Sequence, residues 1–163
     1  MMTIILTAEQ IQHKIRRMAY QIYEANIHQN SFILAGIEGN GYVLAQKLYE
    51  ELKACCPIPV TLCKVKVNKT NVLAPVTTSL EVADYQDQSV VLVDDVLSSG
   101  ATLIYGVKHF LEVPLKQLKT AVLVNRNHKK YPIKADFKGV SLSTSLQEHI
   151  EVSFEGEAVA YLE

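Results

Sequence analysis

Two adjacent carboxylates, Asp94 and Asp95, close the apolar run SVVLVDD. Val96 and Leu97 follow, and then the small residues Ser98, Ser99, Gly100, Ala101 and Thr102. A turn of small residues lets a ligand approach the backbone closely. Its successive amides, completed by a helix N-terminus, make an anion cradle. The Ser and Thr hydroxyls add donors for phosphate oxygens. Two carboxylates beside such a cradle repel a bare anion. They suit a ligand that sets a polyol or a metal ion against them and its phosphate against the amides, as a ribose 5-phosphate does. An Mg²⁺ on an attached pyrophosphate would meet Asp94 and Asp95 directly or through water. The plainer alternative is that the two aspartates only cap a strand-to-helix turn. No GxxxxGK[ST] occurs, and GIEGNG lacks the glycine spacing of a dinucleotide fingerprint.

The elements that must carry this stretch are legible from periodicity. Thr7 and Gln10 form a candidate capping box, and Ile11, Ile15, Met18, Ala19, Ile22 and Tyr23 recur at helical spacing. SFILAGI, GIEGNG and YVLAQKLYEELKA read as strand, glycine-rich turn and helix. A second strand is expected in PVTLCKVKV, and NKTNVLAPVTTS reads as a mobile loop or loose hairpin. SVVLVDD is the continuous apolar strand of a sheet covered on both faces. TLIYGVKHFLEV follows as a helix, KTAVLVN as a buried strand, and HIEVSFEGEAVAYLE as two short strands around Glu155 and Gly156. This alternation predicts an α/β fold: an open, mostly parallel twisted sheet flanked by helices, with a short C-terminal β segment. In such sheets ligands bind beyond the carboxyl ends of the strands.

Composition sets outer bounds. With 163 residues, no linker and no repeat, residues 1–163 are expected to form a single domain. Charged residues make up 20% and the net charge is -1, so a nucleic-acid partner would need a local patch. Cys55, Cys56 and Cys63 lack CxxC spacing and read as reduced thiols. MMTIIL has no basic lead, and no run is long enough to span a membrane. A cytoplasmic protein with no membrane partner is the expectation.

VVLVDDVLSSGATL resembles the phosphoribosyl-pyrophosphate signature of the type I phosphoribosyltransferases. LTAEQIQHKIRRMAYQIYEAN, FILAGIEGNGYVLAQKL, AVLVNRNHKKYPIKADFKGV and EGEAVAYLE extend the resemblance to one branch of that family, the pyrimidine-operon attenuation regulators with uracil phosphoribosyltransferase activity. The resemblance implies transfer of ribose 5-phosphate from phosphoribosyl pyrophosphate to a nucleobase, most simply uracil giving UMP, with Mg²⁺, by a homodimer. It places Asp94 and Asp95 on the ribose hydroxyls and Ser98 to Thr102 on the 5-phosphate. Ile37, Glu38, Gly39, Asn40 and Gly41 would receive pyrophosphate, and Phe137 would stack on the base unless it is an ordinary core aromatic.

The sequence departs from the branch in three places. Gly39-Asn40 stands where Thr-Arg is usual, Ala101 where Arg is usual, and the loop that closes over pyrophosphate is short. Lys64, Lys66 and Lys69 are the nearby cations, and lysine reproduces bidentate arginine contacts poorly. Phosphate binding is expected to persist while pyrophosphate chemistry slows. The alternative function is therefore a nucleotide-sensing RNA-binding attenuation regulator with weak catalysis, and a third is a relative that only binds a phosphorylated ligand. Arg16, Arg17, His128, Lys129 and Lys134, with His13, Lys14 and Lys130, are the candidate RNA-binding residues. Equally, they are solvated charges on a helix face and a loop. Ser98, where purine-specific relatives carry an acid, leans toward a pyrimidine.

Overall fold

The structure, a computed structural model, describes residues 2–145 and 148–163. The chain runs β1 (Thr3–Leu6), α1 (Ala8–Ala25), β2 (Phe32–Ile37), α2 (Asn40–Cys55), β3 (Val60–Lys66), β4 (Thr77–Thr78), α3 (Val82–Tyr85), β5 (Ser89–Leu97), α4 (Ala101–Phe110), β6 (Gln117–Arg126), β7 (Phe137–Leu142), β8 (Ile150–Ser153) and β9 (Val159–Leu162). The large sheet has the order β4-β3-β2-β5-β6-β7, and a small sheet has the order β1-β9-β8. Every pairing in the large sheet is parallel except β3 with β4. The expected open, mostly parallel α/β sheet is what forms.

Alternation along the strands sorts side chains into two cores. One face carries Leu34, Val91, Val93, Ala121 and Leu123, which pack with the apolar stripes of α1 and α2. The other carries Ile33, Ala35, Val90, Leu92 and Val122 against Tyr85, Leu103 and Phe110. β2 and β5 are buried along their apolar stretches, which explains why neither alternates in sequence. Chain direction then fixes the site. From β2 the chain crosses through α2 to β3 on one side, whereas from β5 it crosses through α4 to β6 on the other. Strand order therefore reverses between β2 and β5, and ligand crevices open beyond the carboxyl ends of strands at such a point.

Several elements differ from the sequence reading. β5 runs through Leu97, because Val96 and Leu97 continue to pair with Val124 and Asn125 of the long β6. The turn proper therefore begins at Ser98. The loose hairpin is real but minimal: Thr77 and Thr78 pair with Lys66 and Val65. β1, α3 and β7 were not expected. β1 is four residues long and exists because β9 supplies its partner. β7 alternates only weakly, and its place as an edge strand is held by β6 and by α1. Arg17 of α1 donates to the carbonyls of Lys138 and Gly139.

The close seating of α2 on β2 is set by Gly36. A Cβ there would fall 2.6 Å from the Cα of Tyr42 and 2.9 Å from the carbonyl oxygen of Gly41. Those atoms are backbone and cannot swing aside. Gly36→Ala should cost about 1–3 kcal/mol as an overpacking change, read as a lower urea midpoint with an unchanged slope. An unchanged midpoint would contradict this seating of α2.

Candidate active site at the β2–β5 crevice

Two helices begin at the crevice, one on each face of the sheet. α2 starts after Gly39 and α4 after Gly100, and neither has a side-chain cap at its N-cap residue. By contrast, the Thr7 side chain caps α1 in a complete capping box with Gln10. The first amides of a helix have no intrahelical acceptor and carry the positive end of its dipole. Two helix N-termini with glycine at the N-cap thus open at one place. Gly39 and Gly100 make both turns possible, with φ of 97° and 91°, where a side chain would be strained.

Asp94 and Asp95 stand between these two N-termini. Each carboxylate is steadied by the next amide: Asp95 N–H donates to Asp94 Oδ1 at 2.9 Å, and Val96 N–H to Asp95 Oδ1 at 2.9 Å. Asp94 leans toward α2, where a Cβ on Gly41 would lie 2.9 Å from its Oδ1. Only 5% of Asp94 is exposed, while Asp95 is half-buried. Burial first, and then the charge of Asp95, push the Asp94 carboxyl up to about 8. Asp94 is therefore the harder of the two carboxyls to ionise, and Asp95 lines the cleft beside it.

A small cleft of about 110 Å³ is lined by Lys69, Asp94, Asp95 and the run from Val96 to Leu103. Ser98, Ser99, Gly100, Ala101 and Thr102 thus come together with both aspartates, as expected. Leu97 points into the core and contributes only backbone. Ser99 is shared: its hydroxyl accepts from Ala101 N–H at 3.2 Å, and its carbonyl accepts from the amides of Lys130 and Tyr131. Beside it a larger cleft of about 490 Å³ is lined by Ser98, Ser99, Arg126, Asn127, His128, Lys129 and Lys130.

The β2 loop is narrower in its offering than the sequence suggested. Ile37 is buried in the α4-side core, and the Glu38 amide already donates to Val65 O at 2.7 Å. Gly39, Asn40 and Gly41 remain as the loop's candidates for an anion site. The Asn40 side chain is itself committed, donating through Nδ2 to Val152 O of β8 at 2.7 Å.

Phe137 is not at this cleft. It is 8% exposed and packs in the core beneath α1, so the ordinary aromatic reading is the one its surroundings favour. The candidate RNA-binding residues are likewise dispersed. Arg16 lies 3.6 Å from Glu51, Arg17 holds the β7 edge, and Lys134 lies 3.6 Å from Asp136 at the entry to β7. Arg126 is buried and donates to Thr144 Oγ1 and Ser145 O. His128, Lys129 and Lys130 instead wall the larger cleft. Sequence reasoning missed that role, though their position just after a strand adjoining β5 was the available signal. It also missed Asn125, whose buried Oδ1 has no hydrogen-bond partner among the described residues, near the end of β6.

Among the described residues, no group of three or more His, Cys, Asp or Glu gathers to hold a metal. Asp94 and Asp95 are hard oxygen donors that suit Mg²⁺ only if ligand oxygens and water complete its shell. Among the described residues, no helix is long and apolar enough to cross a membrane.

Residues 1–157 match the phosphoribosyl transferase domain family. The bifunctional protein PyrR of Bacillus subtilis is 32% identical over 162 residues, covering 93% of this chain and 90% of its own length. That of Streptococcus thermophilus is 34% identical over 145 residues, with 87% and 84% covered. The hypoxanthine phosphoribosyltransferase of Trypanosoma cruzi is similar in structure with a TM-score of 0.77 at 18% identity, covering 97% of this chain and 95% of that one. A hypoxanthine-guanine phosphoribosyltransferase of Bacillus anthracis gives 0.70 at 21%, covering 85% and 81%.

The raised Asp94 pKa links the site to stability. A carboxyl near 3.8 when unfolded and near 8 when folded makes the native state bind the extra proton between those values. Its contribution is therefore full below the unfolded value and is lost as pH rises through the folded one. Ligand-free protein should melt progressively lower as pH rises toward 8, and Asp94→Asn should flatten that slope and melt higher at pH 8. Parallel slopes in the two proteins would contradict the buried, protonated Asp94.

Proposed function

The chain belongs to the phosphoribosyltransferase family, and on that premise we propose that it transfers the ribose 5-phosphate of phosphoribosyl pyrophosphate to uracil, giving UMP. The observation that carries this reading is the pair of carboxylates set between two glycine-led helix N-termini at the strand-order reversal. A ribose carrying phosphate at one end and pyrophosphate at the other has this distribution of charge.

In this reading the α4 N-terminus and the Ser98–Thr102 turn hold the 5-phosphate. The Gly39–Gly41 amides receive pyrophosphate, and Asp94 and Asp95 accept from the ribose hydroxyls. As pyrophosphate departs, positive charge builds on the ring, and fixed carboxylates oppose it without reorganising. Holding base and sugar in line lowers the barrier further. Asp94 and Asp95, with ligand oxygens and water, would be the groups to hold an Mg²⁺, which would supply charge neutralisation for the pyrophosphate.

The nucleobase belongs in the larger cleft between Ser98, Ser99 and the Asn127–Lys130 turn, which adjoins the phosphate turn. Ser98 presents no carboxylate to a purine amine or ring N–H, which supports a pyrimidine. The PyrR relatives, described as bifunctional, support the same choice of branch. We expect the enzyme to work as a cytoplasmic homodimer.

A sensor with weak catalysis is the second reading, and one observation favours it. Both branch-typical arginine positions hold uncharged residues, and Asn40 is tied to β8. Such a protein keeps the cradle as a nucleotide detector. RNA contact would fall to the exposed His128 and Lys130 with half-buried Lys129, and it would weaken steeply with salt.

Purified protein given phosphoribosyl pyrophosphate, Mg²⁺ and uracil should form UMP and pyrophosphate. Asp95→Asn should lower kcat by about 10²–10³-fold, the scale of losing one preorganised electrostatic group. Chelation of Mg²⁺ should abolish turnover. UMP binding without product from any base would move the assignment to the sensor, and near-normal turnover by Asp95→Asn would overturn the catalytic role.

A further inference from the structure

We propose that Tyr131 is a positioning residue: it clamps the turn at Ser99 and Gly100 to the loop after β6, so that a ligand in either of the two clefts is felt in the other. The inference rests on the phosphoribosyl-transfer reading above, which puts the 5-phosphate in the smaller cleft and the base in the larger. It goes beyond that reading by naming what joins them.

The two clefts share a wall. Ser98 and Ser99 line both, with the aspartates on one side and residues 126–130 on the other. Two serines followed by a glycine have little stiffness of their own, because Gly100 leaves the backbone free to turn. The wall is steadied from across the loop instead. The Ser99 carbonyl accepts from Lys130 N–H at 2.9 Å and from Tyr131 N–H at 3.1 Å.

Tyr131 adds contacts of its own. Its Cβ lies 3.5 Å from the position that a Cβ on Gly100 would take, so it backs that glycine directly at its φ of 91°. Its ring meets the Tyr105 ring edge-on, with centroids 6.2 Å apart and planes at 75°. Tyr105 belongs to α4, one turn after Ala101, so the ring braces the helix whose N-terminus forms the cradle. The Tyr131 carbonyl accepts from Ile133 N–H at 2.9 Å, and Ile133 packs on the same glycine. Half-buried Tyr131 thus holds the turn at Ser99, at Gly100 and at the helix that follows.

This matters because the loop of residues 127–136 contains no helix or strand, and its position is set by such contacts rather than by a ladder. His128, Lys129 and Lys130, immediately before Tyr131, wall the larger cleft. A base that orders this loop orders the Ser99 clamp with it, and the cost of fixing the turn is partly met before phosphate arrives. By linkage, phosphate in the turn favours the loop position that receives the base.

The test is calorimetric titration of ribose 5-phosphate with and without saturating uracil, and of uracil with and without saturating ribose 5-phosphate. The proteins are wild type, Tyr131→Ala, Tyr131→Phe and, as a control on the exposed face of α1, Tyr20→Ala. In wild type each ligand should raise the affinity of the other by about fivefold or more, equally in both directions. Tyr131→Ala should abolish this mutual effect, whereas Tyr131→Phe and Tyr20→Ala should keep it. A Tyr131 that only supports the fold would lower both affinities or the Tm in Tyr131→Ala and leave the mutual effect intact, which would overturn the proposal. If Tyr131→Ala does not fold, hydrogen exchange in wild type decides. The Lys130 and Tyr131 amides should exchange several-fold more slowly with ribose 5-phosphate bound, and unchanged exchange would overturn the clamp. A wild type that binds both ligands independently overturns this inference and leaves the transfer reading standing. One that binds neither overturns both.

Discussion

Two like charges forced together at the mouth of a buried strand are the constraint from which the rest of the site follows. Asp94 and Asp95 cannot both ionise cheaply in that position, because one is buried and the other adjoins it. The molecule answers with positive partial charge from two directions, the α2 and α4 N-termini, and with an Asp94 carboxyl that resists ionisation. A ligand that brings hydroxyls and a metal ion would offer this pair further partners, which is why the pair is the candidate for function.

The packing exists to bring these groups to one point. Glycines at Gly36 and Gly41 let α2 sit directly against β2 and beside Asp94. Gly106 does the same for α4, where a Cβ would lie 2.9 Å from Leu92 Cδ2. The second sheet is tied to this arrangement through Asn40 and Val152, and Arg126 ties the end of β6 to Thr144 and Ser145 beyond β7. The small sheet is thereby anchored to the β2–α2 loop through β8, not left as an independent appendage. Asn40 spends its side chain on this contact with the fold.

Much of this was legible before any coordinates. Apolar runs of the right length named β2, β5 and β6, because a doubly covered parallel strand needs no alternation. The capping box named the start of α1, since Thr7 and Gln10 satisfy each other locally. The acid pair with its small-residue turn named the crevice. What escaped the reading was whatever depends on a distant partner. β1 forms only because β9 lies beside it, and β7 because β6 and Arg17 hold it. The basic residues looked like one patch because sequence lists them without their carboxylates and carbonyls. In the fold, Arg17 and Arg126 are structural donors, and His128 to Lys130 border the cleft. Phe137 was a candidate stacking ring because the family resemblance puts the base pocket there, yet strand alternation turns it into the core on the α1 side. Val96 and Leu97, candidates for the substrate site in a strand expected to end at Asp95, prolong β5 because a strand's end is set by its neighbour, and β6 continues to pair with them.

The account makes the two helix N-termini, with the acid pair between them, the place where ligand is held. Amide chemical shifts of labelled protein during titration with Mg²⁺-phosphoribosyl pyrophosphate test this most directly. The account predicts that the largest shifts fall on Gly39 to Gly41, on Asp94 and Asp95, and on Ser98 to Thr102, with ribose 5-phosphate moving only the last two groups. Shifts confined to other surfaces, or no shift at saturating ligand, would contradict it.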